Sequence, residues 1–519
     1  MERIETMGHR LARIDLSPED FRALGHELID RIADFLDSLS ERLVTTGEPP
    51  QAIREALGAT RSLPERGADP VQLLDRASDL LFDHWLFNSH PRLCGYITAP
   101  AAPIGILGDL LAAAVNPNVG AWFLSPMASE IEAQTIRWIA ELLGYPTSCG
   151  GLLVSGGNMA NFVCFLAARQ AKAGWDVRAA GMMGVEARRL RVYGSQETHT
   201  WIEKATDMFG LGTDGIRWIP TDDQLRMDTA ALRRQIREDL EAGDRPIMVV
   251  GAAGSVGAGA VDPLPEIAAT CREYDLWFHV DGAYGGLAAM LLSDSRRADV
   301  PPDLRGLSEA DSVAIDPHKW LYMPLEAGCT LVRDPAKLRE AFAYHPPYFL
   351  FGVEAINYLD FGPQNSRGFR ALKVWLALQQ VGREGYVRMI SDDIRLAQEL
   401  HRRVSDHPAL QAFTQSLSIT TFRHVPPDLR SNLGTERVEN YLNELNRELL
   451  TRLQNGGEAY LSNAVIGGKF VLRACIVNFR TSLADIEALP GIVTRLGQEA
   501  DAALRPVELA AVQSKTMGP

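Results

Sequence analysis

Apolar residues recur at three- and four-residue spacing from Phe21 through Leu24, Leu28, Ile32 and Phe35, which predicts an amphipathic helix. Ser17-Pro18-Glu19-Asp20 lies just before it and reads as a helix start, with proline in the first turn. The helical pattern runs on to about His90. Between about 91 and 380 the pattern changes. Short apolar runs at 191–193, 217–219, 246–251, 277–281, 312–315 and 330–332 alternate with helical stretches, which predicts a mostly parallel sheet with crossover helices. From 381 to 519, helices mix with strand runs at 417–422 and 470–478, a small C-terminal α+β domain whose tail reads as frayed from Val507. Three parts are therefore expected: a helical segment 1–90, a large α/β domain 91–380 and the small domain 381–519. An amphipathic helix so early, with little around it to cover its apolar face, predicts packing on another subunit.

Composition narrows the classes. The chain has 519 residues and is 46% hydrophobic, enough for a substantial core. A net charge of −14 with no compensating basic block argues against a nucleic-acid or anionic-membrane partner. The densest basic stretch, Arg188-Arg189-Leu190-Arg191, reads as a solvated loop edge. Cys94, Cys149, Cys164, Cys271, Cys329 and Cys475 show neither CxxC nor zinc spacing, as expected of reduced residues in a cytoplasmic protein. Residues 1–13 lack the apolar core of a signal peptide. The apolar window 104–115 is broken by Asp109 and is too short to cross a bilayer.

Three segments carry candidate chemistry. Asp316-Pro317-His318-Lys319-Trp320-Leu321 sets a lysine between a proline turn and an apolar stretch, where desolvation makes an amine a Schiff-base nucleophile. Alone, Lys319 reads as a surface lysine whose stem covers apolar surface. Upstream, Trp277-Phe278-His279-Val280-Asp281-Gly282-Ala283-Tyr284 reads as a buried parallel strand delivering Asp281 at its C-terminal edge. A carboxylate there needs a cationic partner, and the pyridinium nitrogen of pyridoxal phosphate is one. A helix-capping Asp, or His279 and Asp281 as metal ligands on one strand face, are the alternatives. The third segment, Ser155-Gly156-Gly157-Asn158-Met159-Ala160-Asn161, is a glycine turn opening a helix, a ready anion site, although alone such a turn is more often just a tight connection. It supplies a phosphate grip that the metal alternative leaves unused.

These motifs, in this order, resemble the group II pyridoxal-phosphate decarboxylases, which include aromatic-L-amino-acid, tyrosine, histidine and glutamate decarboxylases. The resemblance spans about residues 16–488. It implies fold type I, the aspartate-aminotransferase-like α/β architecture, with a homodimer embraced by its N-terminal helices and active sites at the subunit interface. It assigns the phosphate to Gly156, Gly157 and Asn158, the ring nitrogen to Asp281, and the covalent anchor to Lys319. By the same resemblance His199 stacks on the pyridine ring and Ala283 lies beneath its other face. His318 lies near the phosphate, and Asp316 stands where some relatives use Asn to touch it. Val256 replaces a usual threonine near the ring hydroxyl, with Ser255 beside it to compensate. Tyr348 matches a tyrosine on a loop that closes from the partner subunit and reprotonates the substrate carbon; relatives with phenylalanine there tend to be aldehyde synthases. Tyr96, Ile97, Thr98, Trp122 and Phe123 match segments lining the side-chain pocket.

The resemblance thus implies pyridoxal-phosphate-dependent decarboxylation of an L-amino acid, with an aromatic side chain favoured, to the amine and CO2 through a Lys319 Schiff base. The alternatives on the same fold are an aromatic aldehyde synthase and a decarboxylase of an acidic amino acid. Arg92 would pair with that acid unless it is a structural ion-pair donor. Two other classes are a non-catalytic cofactor-binding paralogue, in view of Val256, and a metal-dependent hydrolase built on His279, Asp281, His199 and His318. No metal is expected.

Overall fold

The computed structural model describes residues 14–184, 187–293, 298–344 and 355–510. Seven strands form the larger sheet: β1 (Gly150–Val154), β2 (Leu190–Ser195), β3 (Ile216–Ile219), β4 (Arg245–Ala252), β5 (Trp277–Asp281), β6 (Ser312–Ile315) and β7 (Gly328–Val332). Their spatial order is β1-β7-β6-β5-β4-β2-β3. β7 runs antiparallel to both neighbours, while the other pairings are parallel. β1, β2, β6 and β7 are buried along their whole length, which is why they read as continuous apolar runs rather than alternating ones.

The register of this sheet places the site. Val154 pairs with Gly328, Ile315 with Cys329, Ala314 with Asp281, and Asp281 with Ala252. The segments leaving β1, β4, β5 and β6 therefore emerge together along one edge, where open α/β sheets bind ligands. Behind β1, the buried Glu132 carboxylate accepts the Leu153 N–H at 2.8 Å and pairs with the buried Arg367 guanidinium. Arg367 also donates to the Leu153 and Val119 carbonyls at 2.7 and 2.8 Å. This network fixes the strand that feeds the glycine turn.

A second, antiparallel sheet has the order β10-β11-β9-β8, formed by β8 (Leu410–Ser416), β9 (Ile419–His424), β10 (Ser462–Ile466) and β11 (Lys469–Cys475). The helix Ala371–Asp406 joins the two layers. It packs on the helices Pro103–Val115 and Pro126–Leu142 and, further along, on β8 and β9. Some expectations need correcting here. The run at 417–422 starts as a strand only at Ile419, because the buried Leu417 has φ 48° and turns the chain between β8 and β9. β8 shows no clean apolar alternation, with only Leu410 buried, and left no signal in the sequence. Of the tail expected to fray from Val507, residues 507–510 instead form a helical turn, with Leu509 packed into a cluster containing Leu429 and Tyr441, and residues 511–519 lie outside the described residues.

The N-terminal helix Pro18–Ser38 starts as expected, with Ser17 Oγ accepting the Asp20 N–H at 3.0 Å. It lies against the helix Pro70–Asp83 through stacked Phe35 and Phe82 rings 4.3 Å apart. No residue of the Pro18–Ser38 helix is buried. Its apolar face and the helix Pro103–Val115 border an open cleft of about 830 Å³ lined by Phe21, Leu28, Ile32, Ile106 and Leu110. Among the described residues, no helix is long and apolar enough to cross a membrane.

Glu132→Ala would leave the Arg367 guanidinium buried without its counter-charge, a change that costs about 3–5 kcal/mol. The expected outcome is a clear drop in the urea unfolding midpoint. Glu132→Gln, which keeps an acceptor for the Leu153 N–H, should lose less.

Candidate active site

A cavity of about 410 Å³ opens at the aligned strand edge. The turn after β1 contributes Ser155, Gly156, Gly157 and Asn158. Glu197, Thr198 and His199 come from the segment after β2, and Gly254, Ser255 and Val256 from that after β4. Asp281, Ala283 and Tyr284 end β5, and Asp316, His318 and Lys319 follow β6. The fold thus gathers the expected anion turn, carboxylate, stacking histidine and lysine from four separate strand ends, with a fifth, β4, adding Gly254–Val256.

At one end, Gly156 takes φ 87° and the helix Gly157–Lys172 begins with no side-chain cap, leaving its first amides to a ligand. A Cβ at Gly157 would lie 2.6 Å from Asp316 Oδ2, so the turn tolerates only glycine there. The Asp316 carboxylate is buried against this turn. Its Oδ2 is 2.9 Å from Lys319 Nζ and 3.6 Å from His318 Nε2, while its Oδ1 has no hydrogen-bond partner. His318 Nδ1–H donates to the Ala327 carbonyl at 2.7 Å, and burial lowers the imidazole's pKa.

At the other end, the Trp201 indole N–H donates to Asp281 Oδ2 at 2.8 Å, and the Ala283 N–H to Oδ1 at 3.2 Å. The Trp201 backbone N–H reaches His199 Nδ1 at 3.3 Å, so one buried tryptophan ties the histidine to the carboxylate. His199 is exposed over the cavity, and desolvation lowers its pKa despite Asp281. Ser255 Oγ accepts the Ala260 N–H at 3.2 Å, and Val256 is 42% exposed. The buried side of Glu197 raises its carboxyl pKa.

His279 takes no part in the cavity. Its ring is fully buried, with Nε2–H donating to Asn161 Oδ1 at 2.7 Å and Nδ1 facing Ser312 Oγ at 2.9 Å. The Trp277 indole N–H donates to that same Ser312 hydroxyl at 2.8 Å, leaving its proton for His279 Nδ1. Burial takes the imidazole pKa down to about 4. With both nitrogens engaged, His279 is no ligand, and no group of three or more His, Cys, Asp or Glu is placed to hold a metal ion among the described residues. The metal-hydrolase alternative fails on this geometry.

The residues expected to line the side-chain pocket lie elsewhere on the chain. Tyr96 is 54% exposed at φ 56°, with its ring 6.0 Å from that of Tyr460. Ile97 packs on the main core and Thr98 is half-buried. The Trp122 indole N–H donates to Glu130 at 2.8 Å, and Phe123 is 60% exposed. Arg92 lies 3.6 Å from the Asp485 carboxylate, the structural ion pair. Tyr348 lies outside the described residues. Reasoning from the sequence missed Trp201, Asn161 and Glu197. Only Trp201 had a usable signal, its place two residues after His199 at the start of a helix.

The set fits pyridoxal phosphate on its chemistry: an uncapped helix start with glycines for a phosphate, an amine beside it, and a held carboxylate at the far end for a ring nitrogen. The pyridoxal-dependent decarboxylase conserved domain matches residues 50–422. An aromatic-L-amino-acid decarboxylase of Bacillus atrophaeus is 34% identical over 491 residues, covering 94% of this chain and 97% of its own. The crystal structure of Oryza sativa TDC with PLP and tryptamine superposes with a TM-score of 0.85 at 26% identity, over 94% of this chain and 99% of that one. That of Rhodiola rosea 4-hydroxyphenylacetaldehyde synthase gives 0.80 at 26% identity, over 95% and 100%.

The buried His279 has a stability signature. Its folded-state pKa of about 4 lies below the ordinary 6.5, so the unfolded chain binds that proton first. The contribution is whole above pH 6.5 and is lost as pH falls towards 4. His279→Gln should flatten that stretch of the stability curve, measured as urea midpoints across the acid range.

Proposed function

The chain belongs to the pyridoxal-dependent decarboxylases, and on that premise we propose that it decarboxylates an aromatic L-amino acid in the cytoplasm as a homodimer. It is a carboxy-lyase that uses pyridoxal phosphate to remove CO2 from an amino acid. The observation that carries the reading is the convergence of Lys319, Asp281, His199 and the Gly156–Gly157 turn on one cavity. The aromatic preference is supported by the Bacillus relative.

Bound there, pyridoxal phosphate supplies the electron sink that takes up the pair left behind by the departing carboxylate. The amides of Gly156, Gly157 and Asn158 hold the phosphate. Asp281, oriented by Trp201, keeps a proton on the ring nitrogen. Ala283 and His199, which line the cavity, would flank the cofactor ring, with His199 limiting water near the substrate. Lys319 would hold the cofactor covalently, and Asp316, 2.9 Å from its Nζ, would pair with the ammonium of the free lysine. Tyr348 delivers the proton to the substrate carbon, a general-acid contribution of roughly 10²–10⁴-fold.

The homodimer is supported by the apolar cleft along the Pro18–Ser38 helix. Exposed Tyr96 and Phe123, away from their own chain's cavity, suit a contribution to the partner's site. The six cysteines, all unpaired, suit a reducing compartment.

Purified holoenzyme given a panel of tyrosine, tryptophan, phenylalanine, histidine, glutamate and lysine should release amine and CO2 from the aromatic members. Turnover of glutamate alone, or of none, would overturn the reading; aldehyde with ammonia and peroxide would assign an aldehyde synthase instead. Lys319→Ala should lose the visible cofactor absorbance and its trapping by borohydride. Phe21→Glu should convert a sedimenting dimer to a monomer with lost activity, whereas a fully active wild-type monomer would refute the shared site.

A further inference from the structure

Beneath the lysine turn lies a carboxyl that touches neither the cavity nor solvent. Asp393, on the helix Ala371–Asp406, is 3% exposed. Its Oδ2 accepts the Trp320 indole N–H at 3.0 Å and the Tyr322 hydroxyl at 2.7 Å, and the Asn478 backbone N–H also donates to the carboxyl. Trp320 and Tyr322 bracket Lys319 on its C-terminal side, and both are fully buried. A surface ion pair would have served stability at less desolvation cost. Burial lifts the Asp393 carboxyl to about 7 in spite of its three donors.

The turn that Asp393 grips is under backbone constraint. Tyr322 has φ 57°, a left-handed conformation that strains a non-glycine residue. Its N–H closes on the Lys319 carbonyl at 3.0 Å, and the Lys319 N–H on the Asp316 carbonyl at 2.9 Å. The direction of the Lys319 side chain is thus set by a strained turn held from below. Trp320 also packs on Tyr284, ring centroids 4.8 Å apart, and Tyr284 is a cavity wall.

We propose that Asp393 is a positioning residue for Lys319, which through Trp320 and Tyr322 holds the left-handed turn and aims the amine into the cavity. The proposal rests on the reading of Lys319 as the cofactor anchor. Asp393→Asn keeps the shape but turns an amide N–H2 towards at least one of three donors. Tyr322→Phe removes a single hydroxyl and leaves the carboxyl in place.

The test strips the cofactor from wild type, Asp393→Asn, Tyr322→Phe and the double variant, re-adds pyridoxal phosphate, and follows borohydride trapping at Lys319 by mass spectrometry. Circular dichroism and unfolding midpoints are read in parallel. A misaimed amine should slow trapping on the order of 10–100-fold in Asp393→Asn. Tyr322→Phe should slow it less, the double variant no more than Asp393→Asn, and kcat should fall while KM holds. Trapping at the wild-type rate with only a lowered unfolding midpoint would reduce Asp393 to a structural role, as would additive losses in the double variant. If Asp393→Asn does not fold, Tyr322→Phe decides alone, and a wild-type trapping rate there overturns the proposal. Absence of trapping at Lys319 in the wild type would instead sink the anchor reading itself.

Discussion

An ammonium and a carboxylate three residues apart, Lys319 and Asp316, meet at a buried sheet edge, and the rest of the site is arranged around that pair. Neither charge is tolerable there alone, because each would leave water without a partner. The same rule shapes the other ionised groups drawn inward. Asp281 is met by an indole N–H, Glu132 by Arg367, and Arg423 by Glu439. Asp316 Oδ1 is an exception, buried without a hydrogen-bond partner at an uncapped helix start.

The parallel sheet supplies the convergence, and the second sheet supplies the rigidity. Strands in one direction deliver their C-terminal ends to one edge, so residues far apart in sequence become neighbours without any long-range motif. The floor of the cavity is then clamped from the other layer. The Tyr284 hydroxyl bonds Ser418 at 2.7 Å, and Asp393 reaches the Asn478 segment just past β11. The lysine turn is therefore held between two sheets rather than resting on one.

Much of the site was legible because its chemistry is local. Ser155–Asn158, Asp281–Ala283 and Asp316–Lys319 are short segments whose residue types and neighbours already restrict what they can do, and the structure unites all three. Asn161 was not legible, since it acts through His279, a partner remote in sequence; Trp201 was marked only by its place beside His199, and its bond to Asp281 was not. His279 shows the same limit in reverse. On a strand face beside Asp281 it reads equally well as a ligand, and only its burial between Asn161 and Ser312 removes that role. Leu417 was misread for a comparable reason, because burial alone does not separate a strand residue from a turn residue with φ 48°.

The amino-acid sequence by itself determined the alternation of strands and helices, the order of the motifs and the residue types that meet a phosphate, a ring nitrogen and an aldehyde. Those follow from periodicity and from functional groups, which are properties of short stretches. Tertiary structure alone decided which carboxyl pairs with which donor, that His279 is a core residue, and that Asp393 lies beneath the lysine turn. Such outcomes depend on distance and desolvation between segments tens to hundreds of residues apart, and neither quantity exists until the chain has packed.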